Sequence, residues 1–153
     1  MLDYILSKMV LLIFLLLLVS AFVGFRGSLQ SYFLQQHAQD IVRDLAERLR
    51  GMELATTHIQ ETKSYALPRH IVVGGKRVPF EVNCQTVRKG GVEWVVFSVI
   101  VNDKVIAYDG AALNAKSVYC KDFPALSTST ENVIYMRKVV DSGGTVYTVW
   151  VGS

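Results

Sequence analysis

The sequence predicts an α+β fold: a long N-terminal helix, transmembrane then amphipathic, packed on a mostly antiparallel β-sheet head. Three observations carry this reading. Met9 to Phe25 is seventeen residues without a charge. From Leu34 to Met52, apolar residues recur at three- and four-residue steps, the period of one helix face. Beyond Pro68, β-branched and aromatic runs alternate with glycine-rich turns. The chain therefore divides into a hydrophobic membrane helix or signal-anchor (1–27), its amphipathic continuation (28–54) and a β-rich globular head (55–153).

A helix rises about 1.5 Å per residue, so Met9 to Phe25 covers roughly 25 Å, and roughly 33 Å with Tyr4 to Leu6 added. That length spans a bilayer, with Lys8 snorkelling to one interface. Met9, Leu12, Phe14, Leu16, Leu18, Phe22 and Phe25 then meet lipid. A cleaved secretory signal is the competing reading, with Lys8 as n-region, Met9 to Leu18 as h-region and Val19-Ser20-Ala21 before the cut. Asp3 leaves that n-region nearly neutral, and the apolar run continues through Phe22, Val23 and Phe25, which favours a retained helix. Both readings address the chain to the export machinery. The Lys/Arg asymmetry about the span is too small to set orientation.

In the second half of the helix, Leu34, Ala38, Ile41, Val42, Leu45, Leu49 and Met52 form a stripe expected to pack on the sheet. Asp40, Arg43, Asp44, Glu47, Arg48 and Arg50 occupy the other face, with His37 on its polar flank. The two halves read as one helix of about 45 residues, apolar all round and then one-sided. Residues 53–68 are polar and turn-prone, and read as a connection.

Strands begin at His70 to Val73, which turns through Gly74-Gly75 into Arg77 to Val82. Pro79 inside that second run marks an edge or a bulge. After Gly90-Gly91 comes Val92 to Val101, then Asn102-Asp103 and Val105 to Tyr108. A loop-rich stretch holding Asn114, Cys120 and Pro124 leads to Val133 to Val140, a turn at Asp141 to Gly144, and Thr145 to Val151. This is a meander of six or seven strands.

Little in the chain points to chemistry. With 16 basic and 13 acidic side chains the net charge of +3 creates no strong pull toward nucleic acid. His37, His58 and His70 lack metal-ligand spacing, so neither a metal nor a cofactor is expected. No phosphate-binding glycine loop or nucleophile elbow occurs, and no catalytic residue is assigned. Lys76-Arg77, Arg88-Lys89 and Arg137-Lys138 read as solvated turns and edges, with weak anionic-ligand binding open at Lys76, Arg77, Arg88 and Lys89. Cys84 and Cys120, in a segment an export signal delivers to an oxidising exterior, are expected to form a disulfide. That bond in turn favours a head outside the cell.

The apolar stretch Met9 to Phe25, its helical continuation to Met52 and the β-rich head with a C-terminal hairpin together resemble the type IV pilin family, in particular the divergent pilin-like and pseudopilin-like proteins of archaea. The resemblance implies a non-enzymatic, single-pass subunit of a cell-surface filament or its assembly platform. Its apolar half-helix would sit in lipid before assembly, and against copies of itself or related subunits in the filament core afterwards. Bacterial members carry a Gly-Phe-Thr-type processing site and a glutamate at the fifth mature position. Here Ser7-Lys8-Met9-Val10 stands at the junction and no acid lies between Asp3 and Asp40, so the resemblance implies a minor, unprocessed or accessory subunit. A membrane-tethered or secreted β-rich binding module that never polymerises is the alternative.

Overall fold

The structure, a computed structural model, describes residues 2–55, 60–129 and 132–152, with side chains from residue 6 onward. Among these, one helix, α1 (Leu2–Leu54), precedes ten strands. They are β1 (Gln60–Ala66), β2 (Ile71–Val73), β3 (Lys76–Val78), β4 (Glu81–Lys89), β5 (Val92–Val101), β6 (Lys104–Leu113), β7 (Ser117–Lys121), β8 (Ala125–Leu126), β9 (Val133–Asp141) and β10 (Gly144–Val151). The chain divides into two compact units, Met1–Phe33 and Leu34–Ser153.

The first unit is helix alone, and every side chain from residue 6 to residue 29 is exposed. The helix is 53 residues long rather than about 45, because it begins at Leu2 instead of near Met9, and it runs unbroken through Ser28. Its hydroxyl donates back to Gly24 O at 3.1 Å, and Ser31 donates to Gly27 O at 3.0 Å. Both hydroxyls are thus satisfied within the helix, which suits a segment able to enter lipid.

In the second unit the strands form two four-stranded sheets, ordered β1-β9-β10-β7 and β6-β5-β4-β8, beside a separate β2-β3 hairpin. Every pairing is antiparallel except β10 with β7. Two-residue turns with positive φ at both central residues close three hairpins, at Gly74-Gly75 (φ 57° and 79°), Gly90-Gly91 (62° and 82°) and Asn102-Asp103 (50° and 59°). Both central residues of such a turn need positive φ, which glycine adopts without steric cost and Asn or Asp at a modest one.

The core lies between the sheets and the helix stripe. Ala38, Ile41, Val42, Leu45, Leu49 and Met52 are buried against Phe97, Val99, Met136, Tyr147 and Val149, with Leu34 half-buried at the margin. Polar residues beside the stripe hydrogen-bond to the outermost strand of each sheet. Gln39 Nε2 donates to Tyr108 O at 3.2 Å and Arg50 Nη2 to Gly110 O at 2.5 Å, both on β6. On the other flank Arg48 Nη1 donates to Ser64 O of β1 at 3.3 Å, and its guanidinium lies 5.1 Å from the centre of the Tyr65 ring. Three carbonyls on the edge strands β6 and β1 are therefore occupied by the helix, which blunts the tendency of those two edges to pair with another chain.

The meander expected from the sequence is corrected in three places. The connection at 53–68 holds β1, whose half-buried positions Glu61, Lys63 and Tyr65 alternate with exposed ones. The loop-rich stretch holds β7, which pairs with β10 across a long separation in sequence. Pro79 does not sit inside a strand but separates β3 from β4, since it cannot donate to a ladder.

Candidate functional site

The first candidate site is the helix surface of the first unit. Met9, Leu12, Phe14, Leu16, Phe22 and Phe25 each expose more than half of their area, as does Leu18. The stretch from Leu6 is long and apolar enough to cross a membrane. An apolar surface of this size is unstable in water, so the helix must be covered by lipid or by protein. Beyond Arg26 the exposure continues at Tyr32 and Phe33, whose rings meet edge to face at 5.9 Å. Aromatic residues just past an apolar span suit the membrane–water boundary.

The second element is the join between the sheets. Cys84 on β4 and Cys120 on β7 are bonded, with Sγ atoms 2.02 Å apart and Cα atoms 5.9 Å apart. Cys84 sits in the core and Cys120 packs against it. The bond ties the β6-β5-β4-β8 sheet to the β1-β9-β10-β7 sheet.

At the C-terminal end of α1 lies a polar cluster that sequence reasoning missed. The last turn of the helix has no basic residue of its own. Lys138 of β9, only 5% exposed, supplies the charge instead, donating from Nζ to Met52 O at 2.6 Å and Ala55 O at 2.8 Å. A cation there meets both the unpaired carbonyls and the negative end of the helix dipole. Beside it, Tyr147 donates its hydroxyl to Glu53 Oε2, and Glu53 Oε1 accepts from Asn114 N at 3.1 Å. Burial first, then the hydrogen bond to Glu53, push the Tyr147 phenol above its ordinary value. Lys138 is thus not a solvated partner of Arg137. Strand alternation places it with Ile134 and Met136 on the inner face, while Arg137 is exposed. That alternation was the available signal.

The remaining basic pairs stand on separate hairpins. Lys76 and Arg77 are exposed on β3, while Arg88 and Lys89 are exposed at the end of β4. Arg88 Nε lies 3.6 Å from Glu93 Oε1. A groove of about 520 Å³ opens where α1 passes β1 and β2, lined by His37, Asp40, Asp44, Tyr65, His70 and Val72 among others. Burial, followed by the charge of Asp44, raises the Tyr65 phenol above its ordinary value, and Arg48 opposes the shift. Among the described residues no group of three or more His, Cys, Asp or Glu side chains could hold a metal ion. His58 and the side chain of Asp3 lie outside the described residues. Asp141 to Gly144 forms the β9–β10 turn, where Asp141 Oδ1 accepts from Gly143 N at 2.7 Å.

No family model, curated protein or solved structure matches the chain.

Proposed function

We propose that the chain is a pilin-like, non-catalytic subunit of a cell-surface filament or its assembly platform, held in the membrane by its N-terminal helix before assembly, with its head outside. One observation carries this reading. A single helix of 53 residues has a first part exposed on every side and a second part whose apolar stripe is built into the head. A simple membrane tether needs only the span. Here the helix that carries the span also supplies Ala38, Ile41, Val42, Leu45, Leu49 and Met52 to the core of the head. The Cys84–Cys120 bond supports an oxidising exterior for the head.

The test is mild shearing of whole cells followed by sedimentation of the released material. A filament subunit leaves as full-length chain in a high-mass fraction, and detergent extracts contain oligomers. A strictly monomeric extract, with nothing released by shear, refutes the reading.

A tethered binding module that does not polymerise is the second reading. It is favoured by a groove of about 360 Å³ lined by Lys121, Asp122, Arg137, Thr148 and Trp150. Here a stacked Trp150–Tyr135 pair, with ring centres 5.4 Å apart, adjoins exposed cationic groups.

A further inference from the structure

Two surfaces at opposite ends of the head complement each other. The first is the groove beside Asp40 and Asp44. Its lining is largely apolar, from Ile41, Ile71, Val72 and Tyr65, and Asp40 and Asp44 line it together with His37 and His70. Their ion pairs with Arg43 (3.8 Å) and Arg48 (3.5 Å) join half-exposed side chains. Water screens such pairs strongly, so both carboxylates can take a better partner.

The second surface is the tip of the β4–β5 hairpin. All residues from Gln85 to Val92 are exposed there, and Trp94 exposes 40% of its area. Val87 pairs across the ladder with Trp94, and Arg88 and Lys89 lead into Gly90-Gly91. A turn made of two glycines carries no side chains, so the tip is narrow. An added Cβ on either glycine would meet nothing within 4 Å. The tip is thus slender, basic and flanked by apolar side chains, whereas the groove is concave, largely apolar and carries the two carboxylates.

Their placement follows from how β6 runs beside the helix. Gln39 meets Tyr108, Arg50 meets Gly110 and Glu53 meets Asn114, so β6 and α1 advance in the same direction. Leu113 pairs with Glu93, which puts the β4–β5 tip beyond the C-terminal end of the helix. The groove lies at helix residues 37–44, roughly 20 Å back along the axis. A tip at one end and a groove at the other cannot meet within one head.

We infer that the β4–β5 tip of one copy docks in the Asp40/Asp44 groove of the next, with Arg88 and Lys89 opposite the two carboxylates. Such a contact joins different surfaces of identical subunits, so it does not close on itself and propagates as a string of heads. The inference rests on the filament reading and names its head-to-head contact.

Two full-length variants test it: Asp40→Lys with Asp44→Lys, and Arg88→Glu with Lys89→Glu. Each is expressed alone and both together, carrying different tags, and the sheared, sedimented material and the membranes are each treated with a carbodiimide that couples touching carboxylates and amines. The yield of cross-linked peptide joining residue 40 or 44 of one copy to residue 89 of another is then measured. Wild type yields this peptide. Neither variant alone can, because the carboxylate–amine pair is lost, and the mixture recovers it to within about two-fold of wild type, because the lysine introduced at position 40 or 44 of one copy then meets the glutamate introduced at position 89 of another. No recovery in the mixture, when both variants keep wild-type protease resistance, overturns the inference. If wild type forms oligomers through its helix but never this peptide, the inference falls and the filament reading stands. If wild type forms no oligomer at all, both fall.

Discussion

Replacing both cysteines, Cys84→Ala with Cys120→Ala, removes the one covalent tie between the two sheets among the described residues. The bond closes a span of 36 positions, and in the chain-entropy model such a loop stabilises the folded state by about 4 kcal/mol. The second unit has about 120 residues, so its unfolding entropy is roughly 250 cal/mol/K, and the loss lowers the melting temperature by about 15 °C. Trp94 lies in one sheet and Trp150 in the other, so their fluorescence reports each sheet separately. The assay is thermal unfolding of full-length protein in detergent, for wild type and the double variant, with each tryptophan read in the background of Trp→Phe at the other. Two coincident transitions, both shifted down by that amount, are expected. A shift below about 3 °C would refute the reasoning, because the core alone would then hold the sheets in place.

Four further outcomes follow from exposure, burial and hydrogen bonding. Leu16→Arg should abolish membrane retention while leaving the head protease-resistant. Leu45→Arg should unfold the head by about 3–5 kcal/mol, since Leu45 is fully buried and the new ion would have no partner; fractionation with limited proteolysis separates the two effects. Lys138→Met leaves the buried Met52 carbonyl unpaired and should cost about 1–3 kcal/mol by chemical denaturation. Tyr147 provides a pH signature. Its folded pKa is raised above the ordinary 10.0, so the folded state holds this proton more tightly than the unfolded state. Its stabilisation is complete below about pH 10 and is lost as pH rises further. Tyr147→Phe should flatten that alkaline decline in unfolding midpoints between pH 9 and 11, and an unchanged slope would remove the role assigned to the phenol.

What the sequence made legible was governed by local pattern. Val92 to Val101 was readable because β-branched and aromatic residues fill it and a glycine pair opens it, and it is a strand with those bounds. The stripe from Ala38 to Met52 was readable because the helix period is local, and its members are buried. β1 was not readable: its inner positions, Glu61 and Lys63, pair with each other at 3.3 Å, so the usual apolar mark of a half-buried strand is missing. β7 is short, and its parallel partner β10 lies more than twenty residues on, beyond the reach of any local window. The groove between α1 and β2 brings His37 and Asp40 to His70, a meeting that only the tertiary fold creates. The cluster around Lys138 was half legible, since alternation with Met136 gives its face but nothing local gives its partners at the helix end.

The central claim is that copies of this chain assemble through the apolar helix, and oxidative cross-linking at that helix tests it most directly. Full-length Leu16→Cys is expressed, cells are sheared, and the released material is treated with a mild oxidant before non-reducing electrophoresis. Residue 16 is exposed in the isolated chain and is one helix face among several that neighbours would cover. Cross-linked dimers at high yield in the released, high-mass fraction are the predicted result, with the Cys84–Cys120 bond intact. Monomers alone, confined to the membrane fraction, would contradict the account.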